Sequence, residues 1–108
     1  MGSVLLAGKK LGLLLSTDSK HPNSQTALGL IQEALSQRVG VYLYLIDDGV
    51  TNIQDEAFSH LSEKGVKLFV CAYSCQRRNI PRDSRFTYCG LVVLSELVNT
   101  CDRFISLN

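Results

Sequence analysis

Apolar residues along this chain come in two textures, short continuous runs and stripes at helical spacing. Residues 11–16 form an apolar run between Lys9-Lys10 and the polar stretch Thr17-Asp18-Ser19-Lys20. Such a run predicts a buried strand. Ala27, Leu28, Ile31, Ala34 and Leu35 then recur as one face of a helix. Asn23 or Ser24 is placed to cap its start and Gly40 to close its end. A second strand is predicted over 41–46, β-branched and aromatic, ending at Asp47-Asp48-Gly49.

Thr51 and Gln54 have the Thr-x-x-Gln spacing of a capping box, followed by the stripe Ile53, Ala57, Phe58 and Leu61, with Gly65 as the stop. Residues 66–71 read as a third strand. A short helix from Ala72 to about Asn79 follows, which Pro81 prevents from continuing. The one irregular stretch, 76–87, holds Pro81 and four arginines. Leu91, Leu94, Leu97 and Val98 mark a last helix, and 103–107 has strand composition. Strands alternating with helices predict an α/β domain with a parallel sheet covered on both faces, a single domain over residues 1–108.

Composition narrows the function classes. The chain has 108 residues, 45% of them hydrophobic and 19% charged, with a formal net charge of +1. That is the balance of a globular domain and not of a disordered chain. The near-neutral charge argues against a broadly basic nucleic-acid surface, and no nucleic-acid partner is expected. The apolar runs fall far short of the roughly 20 residues that span a bilayer. Val4-Leu5-Leu6-Ala7 precedes Lys9-Lys10, the reverse of a secretory signal, and Leu6 stands where N-myristoylation wants Ser or Thr. A cytoplasmic chain without membrane association is the expectation.

In that compartment Cys71, Cys75, Cys89 and Cys101 are expected as thiols. No pair has C-x₂-C spacing, and His21 and His60 sit in separate segments, so no metal site is expected. G-x-G-x-x-G and G-x-x-x-x-G-K-[ST] are both absent, so no nucleotide cofactor is expected.

Ligands of open parallel sheets collect beyond the carboxyl ends of the strands. Cys71 stands at such a point, the last residue of a strand leading directly into a helix N-terminus. Unpaired N–H groups and the positive end of the helix dipole favour a thiolate there. A free thiol is about 3% ionised at pH 7, and a pKa two units lower would make the thiolate the majority, roughly 75%. Against this stands the plain alternative of a small buried hydrophobe, which is how most cysteines behave.

Arg77 and Arg78, with Arg82 and Arg85 beyond them, read either as a solvated loop or as an anion-attracting rim beside Cys71. Cys75 follows at i+4, poor disulfide geometry on a regular helix, and is expected to pack. Cys89 and Cys101 are expected as core or boundary residues. Asp47-Asp48-Gly49 reads as a turn.

Taken in order, these segments resemble the DsrE/DsrF-like family, which includes the sulfur-relay TusBCD proteins, and are nearest its DsrE/TusD type. The resemblance rests on the first strand and loop with Ala27 and Ala34, on the hydrophobic run ending Asp48-Gly49-Val50, on Val66 through Cys71 to Arg77-Arg78, and on Gly90-Leu91 through Cys101-Asp102-Arg103-Phe104-Ile105. It implies a three-layer αβα sandwich with a mainly parallel sheet of about five strands. It also implies assembly as a trimer or hexamer, either of identical copies or with related subunits. In sulfur-relay members the cysteine matching Cys71 receives sulfane sulfur as a persulfide and passes it to an acceptor. The expectation is therefore a persulfide carrier of the sulfurtransferase type acting between donor and acceptor proteins. Two alternatives are a non-catalytic oligomeric subunit binding an anion or partner through Arg77 and Arg78, and a Cys71/Cys75 redox switch.

Overall fold

Residues 6–108 are described by the computed structural model, so part of the 4–7 segment weighed as an export signal lies outside the described residues. Each of the four apolar runs is a strand: β1 (Lys10–Leu15), β2 (Gly40–Leu45), β3 (Lys67–Cys71) and, last in the chain, β5 (Arg103–Leu107). A further strand, β4 (Thr87–Cys89), lies where the sequence reading had only loop. It pairs in parallel with β3, with Phe69 opposite Thr87, Val70 opposite Tyr88 and Cys71 opposite Cys89. Three residues are too few to show a period-2 pattern, and the Val70 neighbour across the ladder, not local sequence, makes this segment a strand. The sheet is parallel throughout in the order β4-β3-β2-β1-β5.

Helix α1 (Pro22–Ser36) begins earlier than expected, its cap two residues before Asn23. His21 is the N-cap, its Nδ1 accepting from the Asn23 N–H at 3.0 Å, with Pro22 in the first turn. Pro suits that place because its missing N–H would be unpaired anyway. The helix closes at Gln37 with Arg38 in the left-handed region, while Gly40 opens β2 instead of ending α1.

The predicted second helix is broken into pieces. A 3₁₀ segment (Asp47–Gln54) leads to one turn of α-helix, α2 (Glu56–Ser59), and a second 3₁₀ turn (His60–Lys64). The expected Thr51/Gln54 box does not form: Thr51 Oγ1 donates to the Asp48 carbonyl, and Asp55 caps α2 by accepting from the Ala57 N–H. Gly49 explains part of the departure. A Cβ there would collide with the Leu15 carbonyl, so the chain leaves β2 pressed against the end of β1. Helix α3 (Ala72–Arg77) and helix α4 (Leu91–Thr100) complete the set.

Alternation along the strands splits the core in two. Leu13, Leu15, Val41, Leu43, Leu45, Leu68 and Val70 point to one face, where α1, the 47–64 segment and Phe86 cover them. Leu14, Tyr42, Tyr44, Phe69 and Cys71 point to the other, against Val93, Leu94 and Leu97 of α4. The division follows from handedness. The chain steps one way through β1, β2, β3 and β4, then returns past them to β5. A right-handed crossover in the reverse direction must use the opposite face. One ten-residue helix therefore covers the second face alone.

Candidate functional site

Cys71 ends β3 and is at once the N-cap of α3. Its backbone is extended, and its Sγ accepts from the Ser74 N–H at 3.4 Å, the N-cap to N3 bond that a Ser or Asp oxygen usually makes. Ser74 is itself held in place: its Oγ accepts from the Asp47 N–H at 3.0 Å, which ties the exit of β2 to the first turn of α3.

Cys71 is only 6% exposed, and what access it has is through a cleft of about 620 Å³. The cleft is lined by Ile46 and Asp47 from the end of β2, by Cys71 to Ser74, and by Cys89, Gly90 and Leu91. It sits beyond the carboxyl ends of β2, β3 and β4, the position at which parallel sheets bind ligands. Two of its lining residues, Tyr73 and Leu91, are 65% and 62% exposed, and Val92, next in sequence to Leu91, is 75% exposed, a strongly apolar group for a surface.

The second thiol in the cleft is Cys89. It stands directly opposite Cys71 in the β3–β4 ladder, on the same face of the sheet, and in the same apolar cluster. Its Sγ donates weakly to the Val70 carbonyl at 3.8 Å. Burial pushes the Cys89 thiol up, with the neighbouring Tyr44 hydroxyl and the Val70 carbonyl acting in the opposite direction and Cys71 adding to the rise. Tyr44 is completely buried, and its hydroxyl donates to the Gly90 carbonyl at 3.0 Å, fastening the end of β4 over β3. Burial, with Cys89 and Cys71 beside it, raises the Tyr44 phenol far above its ordinary range, so it remains a donor. Sequence reasoning passed over both residues. Tyr44 looked like one more apolar strand position, and Cys89 could be read only as flanking a helix while β4 was unrecognised.

The remaining candidates separate from this pair. Cys75 lies in the main core on the opposite face and is absent from the cleft lining, its thiol pushed up chiefly by burial. Cys101 caps the end of α4, near Lys10 and Asp102 at the far end of the sheet. Arg78 is bound to Asp48, with Nη2 and Nε at 2.9 and 3.2 Å from one carboxylate oxygen and Nη1 donating to the Ser74 carbonyl. Arg77 lies over the Tyr73 ring, Arg82 over Tyr88, and Arg85 pairs with Asp83. Each arginine of the loop thus has a protein partner, and none lines the cleft. Among the described residues no group of three or more His, Cys, Asp or Glu could hold a metal ion. No helix among them is long and apolar enough to cross a membrane.

Comparison with known proteins places this architecture. The model of the DsrE/DsrF-like family matches residues 9–107. No curated protein sequence matches the chain. Among solved structures, the YchN protein from E. coli is similar with a TM-score of 0.78 at 16% identity, over 92% of this chain and 98% of that one. A conserved protein of unknown function from Bacteroides thetaiotaomicron is similar with a TM-score of 0.75, also at 16% identity, over 95% of this chain and 98% of that one. At such identity the two structures speak to the fold, the five-stranded parallel sheet with its helices, and not to the chemistry.

Proposed function

Since the chain belongs to the DsrE/DsrF-like family, we propose that it is a sulfur carrier that holds sulfane sulfur as a persulfide on Cys71. The observation that carries this reading is the N-cap position of Cys71, with its sulfur receiving the Ser74 N–H at the floor of a cleft. The Cys71 thiolate attacks the outer sulfur of a donor persulfide, R–S–SH. The new bond joins Cys71 Sγ to that sulfur, the S–S bond of the donor breaks, and the donor leaves as R–S⁻. The bound sulfur occupies the cleft between Asp47 and Leu91 until an acceptor thiolate repeats the exchange. No cofactor takes part. Arg77, at the edge of α3, meets only the neutral Tyr73 ring and so supplies positive potential for an anionic group on donor or acceptor, whereas the charge of Arg78 is matched by Asp48.

A second reading, a non-catalytic subunit of an oligomer, is favoured by Tyr73, Leu91 and Val92, which together suit a second copy or a related subunit seated over the cleft. Intact-mass measurement after incubating reduced protein with a persulfide donor separates the two readings. The carrier gains one sulfur atom, and Cys71→Ser gains none. A wild type that gains nothing, or a C71S protein that gains as much, overturns the carrier reading.

A further inference from the structure

We propose that Cys89 is a resolving thiol for Cys71, displacing whatever sulfur group Cys71 carries and closing a cross-strand Cys71–Cys89 disulfide. Three placements converge on this pair. The two residues are register partners on adjacent strands. Their side chains share one face and one apolar cluster. Both line the same cleft, so a group attached to Cys71 sits beside Cys89. Neighbouring strands lie about 4.8 Å apart, within the roughly 4.4–6.8 Å between Cα atoms that a disulfide spans. No rearrangement of the sheet is needed to bring the two backbones into reach.

Cys75, the i+4 neighbour on α3, points into the opposite core and does not reach the cleft. Cys101 is at the other end of the sheet. Cys89 is the one thiol among the described residues that lies across from Cys71.

The step balances without an external redox partner beyond the group already on Cys71. With Cys71–S–S–R in the cleft, the Cys89 thiolate attacks Cys71 Sγ. A Cys71–Cys89 bond forms, the bond to the outer sulfur breaks, and R–S⁻ leaves, while the proton lost by Cys89 passes to solvent. When R is hydrogen the leaving group is hydrosulfide. The carried sulfur is then reduced by two electrons and the two cysteine sulfurs together supply them. In that form the step rests on the carrier reading. When R is a low-molecular-weight thiol, placed on Cys71 by attack on its symmetrical disulfide, it does not.

A resolving thiol that acted at once would empty the carrier. Burial holds Cys89 above the usual thiol range, so at neutral pH it is protonated and a poor nucleophile. A loaded Cys71 is therefore long-lived at neutral pH and is discharged faster as pH rises. Neither Lys nor Arg lines the cleft to speed the ionisation, and only the Tyr44 hydroxyl and the Val70 carbonyl work against the rise that burial and Cys71 cause.

The test uses reduced full-length protein and oxidised glutathione, followed by intact mass and peptide mapping under acid quench. Wild type is expected to pass through a glutathione adduct on Cys71. It then ends two hydrogens lighter than the reduced protein, with Cys71 joined to Cys89. C89S, or C89A as the second variant, is expected to keep the adduct about tenfold longer or more, because an intramolecular attack is lost. The inference is overturned by an adduct that lasts equally long in wild type and both variants, by a Cys71–Cys75 linkage, or by no reaction at Cys71. The same proteins loaded with a persulfide donor keep the two proposals apart. Disulfide closure without sulfur uptake sinks the carrier reading alone, and uptake with equal retention in C89S sinks this one alone.

Discussion

The two faces of the sheet are built to different standards. On the first face three successive connections, α1, the 47–64 segment and the 72–86 segment, cover the strands. Leu13, Leu15, Leu43, Leu45 and Phe58 are sealed completely. On the second, α4 alone covers the sheet, and Leu14, Tyr42, Phe69, Val93, Leu94 and Phe104 remain only half-buried. Both cysteines of the cleft belong to this second face. A reagent cannot reach a thiol beneath a fully packed layer, since native interiors leave it no path. The incomplete layer gives Cys71 and Cys89 their access, while the complete one carries the stability of the fold.

Truncation on each face is the strongest way to break that comparison. Phe58→Ala removes a completely buried ring and should cost about 3–5 kcal/mol in urea unfolding. Phe104→Ala removes a half-buried ring from the other face and should cost about 1–2 kcal/mol, since much of that surface is never taken from water. Equal losses would mean that the second face is covered in solution by something other than α4, as assembly with another copy would do.

Within the second face, Tyr44→Phe deletes one hydroxyl at nearly constant volume and leaves the Gly90 carbonyl without its donor. The expected loss is about 1–2 kcal/mol. The same hydroxyl favours the ionised form of Cys89, so its removal should move the pH midpoint of Cys89 alkylation further up, with Cys71 alkylation as the internal control. A midpoint that stays put or falls would show that Tyr44 is only a packing residue. The smallest effect belongs to the rim. Arg78→Ala breaks an ion pair whose partners are both partly exposed, and should change stability by less than about 1 kcal/mol.

Much of the fold was legible because it rests on local pattern. Residues 11–16 and 41–46 are continuous apolar runs, and β1 and β2 lie there within a residue of the expected ends. The stripe through Ala27, Ile31 and Ala34 is the buried face of α1. Where pattern competed with tertiary contact it lost. The Thr51-to-Gln54 spacing looked like a helix start, yet the close approach of Gly49 to Leu15 bends that segment into 3₁₀ turns. His21 was set aside for want of a partner and caps α1, because a cap needs only the N–H two residues on.

Cys71 shows the division most clearly. The sequence by itself determined that this cysteine ends a strand and begins a helix, because both are stretches of pattern meeting at one residue, and the capping bond to Ser74 follows from that junction. It determined too the family to which the chain belongs. Only the tertiary structure decided what surrounds the sulfur. Cys89 lies 18 positions along the chain, and nothing local relates it to Cys71; a parallel ladder three residues long sets them side by side. The arginines that looked available in sequence are held by Asp48, Tyr73, Tyr88 and Asp83. Local order is written in the spacing of side chains, whereas which residues become neighbours across strands depends on how the whole sheet is wound.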